Sequence, residues 1–228
     1  MSPGASRARA PGKTDPYHHG DLPRAMLAEA VRTIQRRGVD ALTLRSVGEK
    51  LGVSRTALYR HFANKEALLG AVAQDGFRKL RKELFEAWDL AGRGRTGFEA
   101  MGEAYVRFAV RHPSHYRVMF GGVLRSGDAA LPPGDQTVDA FGVLVDALIE
   151  LQGQSLVRED APQQLALFVW SVVHGVAMLA LDGVLQTPQA IDTLSRFANE
   201  RLFTGIARPT GLSRQSSSSS SSPATLKP

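Results

Sequence analysis

The sequence predicts an all-α protein, with three short helices at the N-terminal end followed by a bundle of about six longer ones. Three observations carry this. Apolar residues recur at three- and four-residue spacing in every long segment, and no run alternates as a strand does. Proline and glycine fall between those segments or in their opening turns, where helices start and stop. The run from Thr43 to Glu66 reads as a short helix, a glycine turn, a second short helix and the capped start of a third, which is the outline of a helix-turn-helix DNA reader.

Taken in order, residues 1–20 are rich in Pro, Gly, Ser and Arg and lack periodicity, so a disordered arm is expected. Asp21 is placed to cap the first helix, with Pro23 tolerated in its opening turn. Leu22, Met26, Ala30 and Ile34, joined by Leu27 and Val31, form its apolar stripe, and Gly38 ends it. Thr43 caps the second helix, whose Leu44, Val47, Gly48 and Leu51 face inward. Gly52 stands where the turn needs a positive φ, Val53 plugs the turn, and Ser54 caps the third helix. Leu58 and Phe62, four apart, turn inward from that helix. Asn64 caps a fourth helix that runs to about Leu90.

The stretch from Gly92 to Gly97 reads as a loop, followed by a helix from about Phe98 to Arg111 that stops at Pro113. Ser114 to Phe120 suits a short helix, and residues 121–135, with four glycines and Pro132 and Pro133, form a long connection. Helical patterns resume over 136–151, 162–185 and 188–206, the last two opening on proline where its missing N–H is harmless. The serine-rich stretch from Ser213 to Pro223 reads as a disordered tail. The chain thus divides into an arm (1–20), a helix-turn-helix domain (21–69), a helical body (70–208) and a tail (209–228).

At 228 residues and 43% hydrophobic, the chain can bury a substantial core. It has no cysteine, which excludes disulfides and thiolate metal sites and fits a reducing, cytoplasmic location. The N-terminus has no apolar run behind its charges, which argues against a signal peptide. Leu165 to Leu181 is nearly continuous apolar sequence, broken only by Ser171, His174 and Gly175, and its 17 residues reach the lower limit of a membrane span. Gln163, Gln164 and Asp182 flank it without basic or aromatic anchors. A helix buried all round, in a core or a subunit interface, is therefore expected, and no membrane contact.

The formal charge of +6 is unevenly placed. Residues 1–65 carry 12 Lys and Arg against 5 Asp and Glu, a net of +7, while the remainder carries 16 against 17, a net of −1. A polyanion is drawn to the segment that holds the helix-turn-helix pattern and not to the rest.

Within the reader, the inward turn of Leu58 and Phe62 leaves Arg55, Thr56, Tyr59 and Arg60 on the outward arc. An arginine near the start of a recognition helix can donate a bidentate pair to guanine, and Thr56 and Ala57 suit a base edge or a thymine methyl group. Thr43, Arg45, Tyr59, His61 and Lys65 suit phosphate contacts, which position without specifying sequence.

The order Leu42, Thr43, Leu44, Arg45, then Leu51, Gly52, Val53, Ser54, then Leu58, Tyr59, Arg60, His61, Phe62, Asn64, Lys65, Glu66, Leu68 and Leu69 closely resembles the DNA-binding domain of TetR-family regulators. That resemblance implies an all-helical homodimer with three DNA-binding helices and about six more forming a ligand-sensing and dimerising body. The family's phosphate-contacting tyrosine, histidine and lysine fall on Tyr59, His61 and Lys65. Its base-reading positions fall on Arg45 and on Ser54, Arg55, Thr56 and Ala57, the most variable part, so no operator sequence carries over. In the second half, His112, Pro113, Tyr116, Arg117, Met119 and Phe120, with Trp170, Val173, His174 and Gly175, are similar to the recurrent motifs of one C-terminal subtype.

For a sensed ligand, the candidates are the aromatic and adaptable side chains of the body: Tyr105, Phe108, Tyr116, Met119, Phe120, Phe141, Trp170 and His174. Aromatics at helical spacing are more often core, and each of these residues is also explained that way. His174 is either a polar handle in a pocket or a core histidine bonded to a backbone carbonyl, and Gly175 allows close helix approach. No metal is expected: Pro113 separates His112 from His115, and no carboxylate stands at a defined spacing from them. His18 and His19 lie in the arm, which with Arg7, Arg9 and Lys13 is either a plain tail or a minor-groove contact. No cofactor motif, phosphate loop, nucleophile elbow or paired carboxylate appears.

The expected partners are therefore a pseudo-palindromic double-stranded DNA operator, a small hydrophobic effector that releases a repressor from it, and a second copy bound through the helices at 162–185 and 188–206. An architectural DNA-binding protein that senses nothing is the alternative class, and an enzyme a more distant one.

Overall fold

The computed structural model describes residues 22–121 and 136–209, with only the backbone of residues 136–139. The expected arm, the Asp21 cap, most of the 121–135 connection and the serine-rich tail lie outside the described residues. Among those described, the chain is helical throughout, with no strand beyond a single bridge between Val157 and Ala207.

The N-terminal helices are α1 (Leu22–Arg37), α2 (Leu44–Leu51) and α3 (Arg55–Tyr59). Their boundaries come from local hydrogen bonding. Ser46 N–H donates to Thr43 Oγ1 at 3.0 Å, and Thr43 N–H donates to Ser46 Oγ at 3.3 Å, a reciprocal cap at the start of α2. Gly52 ends α2 at φ 66°, a left-handed conformation that costs any residue with a Cβ about 1–2 kcal/mol. Ala57 N–H donates to Ser54 Oγ at 3.3 Å, and Ala67 N–H to Asn64 Oδ1 at 2.7 Å, so both expected caps form. Met26, Ala30, Leu42, Val47 and Leu58 interlock beneath these helices.

The body comprises α4 (Lys65–Leu90), α5 (Arg95–Arg111), α6 (Pro113–Phe120), α7 (Gln136–Gly153), α8 (Pro162–Leu181) and α9 (Pro188–Ile206). The long α4 belongs to both parts: it packs on α1 and also on α5, α6 and α7. On the far side α5 rests on α8 and α9, which pack on each other. The end of α9 is tied back by Arg158 N–H to Ile206 O and Arg208 N–H to Leu156 O, each 3.0 Å. One core runs from Leu22 on α1 to Ile206 on α9.

Two boundaries and the role of one glycine depart from the sequence reading. Helix α5 starts at Arg95, not Phe98, because Arg95 Nε pairs with Glu99 one turn on at 2.8 Å. Gly97, read as a loop glycine, is a packing glycine inside α5, where a Cβ would lie 2.8 Å from the Trp88 ring. Helix α8 stops at Leu181 rather than 185, since Gly183 turns the chain at φ 75°.

The larger correction concerns α8. It is long and apolar enough to cross a membrane, with a mean hydropathy of 1.8, yet only 33% of that window is buried within the chain. One face packs on α5, α7 and α9. The other, through Leu167, Phe168, Ser171, Gly175, Met178 and Leu179, is open. Of the two settings expected for a helix buried all round, the core of a single chain is thus excluded, and the subunit interface is left. The Gly175 reading changes with it, because a Cβ there meets nothing within 4 Å.

Candidate DNA-reading surface and aromatic core of the body

On α3 the inward residue is Leu58, only 2% exposed, supported by half-buried Ala57 and Phe62. Arg55, Thr56, Tyr59, Arg60 and His61 lie open to solvent beside Ser54. The Arg55 guanidinium sits 5.4 Å from the Tyr59 ring centroid, a stacking that holds the planar fork ready for bidentate donation. Arg45 on α2 is exposed, and its Nε donates to Glu49 Oε1 at 2.8 Å. The sequence reading passed over this pairing, although the four-residue spacing signals it. Lys65 is half-buried, and its Nζ reaches Asp40 O at 3.4 Å, bracing the start of α4 on the loop before α2. Thr43 is exposed, but its Oγ1 serves the cap. The ten candidate residues thus lie on α2, on α3 and its flanks, and at the start of α4, with Ala57 partly turned into the core.

In the body, Tyr105, Tyr116, Phe120, Phe141, Trp170 and His174 meet in one cluster contributed by α5, α6, α7 and α8. The Tyr116 and His174 rings stack at 5.6 Å, Phe120 meets His174 at 5.0 Å, and Trp170 lies against Phe120, Phe141 and His174. Its polar atoms bond one another. Trp170 Nε1–H donates to Tyr105 Oη at 2.8 Å, while Tyr116 Oη lies 2.7 Å from His174 Nδ1 and 3.1 Å from Tyr105 Oη. His174 thus answers to neighbouring hydroxyls and not to a backbone carbonyl. Burial pushes Tyr105 up to about 12 and raises Tyr116 further, and it lowers His174. The other two candidates fall beside the cluster: Phe108 is fully buried with its ring on His112, and Met119 lies over Gly76 of α4.

Helix α6 carries this cluster to the reader. Tyr116 and Phe120 face α5 and α8, while His115 and Met119, one position back, face α4. Phe120 also meets Phe77 of α4 edge-on at 5.5 Å. His115, 5% exposed, places Nε2 3.1 Å from Asp75 Oδ2, and Lys79 Nζ reaches the same oxygen at 2.5 Å. The bond from His115 and the cations of Lys79 and Arg78 hold the Asp75 carboxyl well below the usual carboxylate range. Glu83, two turns on from Asp75, takes Arg111 at 2.5 Å and lies 3.6 Å from His112. Neither carboxylate was legible from spacing, since each is about thirty or forty residues from its histidine. A cavity of about 360 Å³ opens beside this ion cluster, between α1, α4 and α6.

Acid should loosen this arrangement. Burial lowers both His112 and His174 below the ordinary 6.5, so below that pH the unfolded chain binds protons that the folded chain refuses. Asp75 is lowered too, so its contribution, present above 3.8, is lost as pH falls further. We expect a melting temperature that is flat above pH 7 and falls from pH 6.5 to 4, with a shallower upper part in His174→Gln. A melting temperature that rises on acidification contradicts this assignment.

Two family models match the chain: "Bacterial regulatory proteins, tetR family" over residues 26–72, and "Tetracyclin repressor-like, C-terminal domain" over residues 98–202. A solved structure of a protein of unknown function from Rhodococcus sp. RHA1 superposes with a TM-score of 0.76 at 32% identity, covering 86% of this chain and all (100%) of that one. The chain belongs to the TetR family. An uncharacterized HTH-type transcriptional regulator of Mycobacterium tuberculosis is 28% identical over 195 residues, spanning 83% of this chain and 84% of that protein. The class A tetracycline repressor of Escherichia coli is 46% identical over 52 residues, 23% of this chain and 24% of that one. As a TetR-family member the protein is a DNA-binding transcriptional regulator and not an enzyme. TetR-family proteins bind DNA operators and typically form homodimers that respond to small-molecule effectors.

Proposed function

We propose that this TetR-family regulator is a cytoplasmic repressor that grips a pseudo-palindromic operator as a homodimer and is released by a small, largely apolar effector. The open apolar face of α8 carries the dimer. Leu167, Phe168, Met178 and Leu179 are each at least about a third exposed, and Phe197 on α9 adds to them. Between them lie Gly175, with nothing over it, and Ser171, whose hydroxyl donates back to Phe168 O at 2.7 Å and so presents no unmet proton. Small residues between large apolar ones let two helices approach closely. A second copy buries that stripe, and Gln163, Gln164 and Asp182 at its ends favour a partner chain over a bilayer.

In this reading residues 21–69 are the reader and 70–208 the sensing body. Arg55, Thr56 and Ala57 face base edges together with Arg45 and Ser54, while Thr43, Tyr59, Arg60, His61 and Lys65 hold phosphates. The effector enters the aromatic cluster around Trp170 and His174 and displaces α6. The hydrogen bond between His115 and Asp75 passes that movement to α4, and the cavity beside α1 gives the reader room to turn. DNA and effector then oppose each other by linkage. The test is operator occupancy against a panel of small apolar metabolites. At least one should release wild-type protein, while Trp170→Ala keeps DNA affinity and loses release. Unchanged occupancy across the panel favours the architectural alternative, a DNA-binding protein without a sensor.

A further inference from the structure

We infer that the aromatic cluster offers its effector a single hydrogen-bond donor, the Nε2–H of His174, and so takes a neutral molecule joining an apolar body to a carbonyl-type oxygen. The inference rests on the reading of this cluster as the effector site. A proton count carries it. Trp170 Nε1–H, which can only donate, gives its proton to Tyr105 Oη at 2.8 Å. Tyr105 Oη, Tyr116 Oη and His174 Nδ1 then form a triangle with sides of 3.1, 3.1 and 2.7 Å. Two hydroxyl protons have to be placed within it.

With Nδ1 unprotonated, both find acceptors: Tyr116 donates to Nδ1 and Tyr105 donates to Tyr116 Oη. With Nδ1 protonated, the ring donates to Tyr116, Tyr116 donates to Tyr105, and the Tyr105 proton has no acceptor left in the triangle. Tyr105 is 5% exposed, and a buried hydroxyl proton without an acceptor is the costlier arrangement. The geometry therefore selects the neutral ring with its proton on Nε2, in keeping with the downward push of burial on His174.

Every other polar proton of the cluster is used internally, and Nε2 has no hydrogen-bond partner among the described residues. Among the described residues, no Lys, Arg, Asp or Glu joins the cluster's ring contacts or hydrogen bonds. A carboxylate placed there loses its water without gaining a cation. An ammonium gains the ring faces but meets the positive end of the outward N–H. A ketone, ester or ether oxygen satisfies Nε2–H at no such cost.

The test uses the full chain. Imidazole nitrogen–proton correlation spectra, with His174 assigned by His174→Gln, report the tautomer without any ligand. Four matched probes follow: acetophenone, ethylbenzene, 1-phenylethylamine and benzoate. The expected result is an Nε2–H tautomer whose resonance moves with acetophenone, a larger rise in melting temperature with acetophenone than with ethylbenzene, and no response to the amine or benzoate. Tyr105 alone can still donate to Nδ1 at 3.1 Å, so Tyr116→Phe should keep the Nε2–H tautomer, while Tyr105→Phe combined with Tyr116→Phe should mix the tautomers and erase the preference for the ketone. An Nδ1–H tautomer, or an amine or benzoate response equal to the ketone's, overturns the inference and leaves the effector site standing. An Nε2–H tautomer that no probe perturbs overturns the placement of the effector in this cluster, and the inference with it.

Discussion

Replacing both Phe168 and Leu179 by aspartate yields a helical monomer that has lost specific DNA binding. Both side chains are open within one chain, at 50% and 40% exposure, so the substitution removes little internal packing and the monomer keeps its helical signature. In a dimer the same positions place charges in an apolar seam, where desolvation without a partner is prohibitive. Operator affinity falls with the loss of the dimer, because the second reader no longer binds as an intramolecular event. That loss is about 10²- to 10⁴-fold. Sedimentation and operator titration on one preparation read both effects. A double variant that stays dimeric contradicts the assignment of the α8 face.

Replacing Arg55 by alanine leaves the dimer and its melting temperature intact but removes the capacity to choose a sequence. Arg55 is exposed and, among the described residues, makes no side-chain hydrogen bond or ion pair; its guanidinium stacks on Tyr59. Losing a bidentate guanine pair costs about 1–3 kcal/mol at each half-site, and a symmetric dimer loses it twice. Non-specific binding should weaken far less, since phosphate contacts from the other basic residues persist. The ratio of specific to non-specific affinity is the readout. An unchanged ratio moves the reading role to Arg45, Thr56 or Arg60.

These two variants probe surfaces that differ in how far the sequence disclosed them. The reader was legible because its determinants are local. Thr43, Ser54 and Asn64 each cap an N–H three residues on, and Gly52 turns the chain within one peptide, so a short window holds the whole signal. The body was legible in its helices and less so in its contacts. The aromatic candidates do converge, but that Tyr105, Tyr116, Trp170 and His174 form a hydrogen-bonded chain depends on three helices up to 69 residues apart in sequence. The hydrogen bond between His115 and Asp75 spans 40 residues and leaves no trace in local spacing. For α8 the apolar composition was plain, but composition is blind to direction. Only the packing of α5, α7 and α9 on one face shows which residues remain for a partner. Gly97 illustrates the same limit, since a glycine that makes room for Trp88 has the same letter as one that breaks a helix.

The central claim is that two copies of this chain read DNA together, and nuclease footprinting on a genomic fragment selected by the purified protein tests it most directly. The account predicts two-fold symmetric protection, with half-site centres about 34–36 Å apart or a multiple of that spacing. Protection of one isolated half-site, or unselective coverage of every fragment, contradicts it.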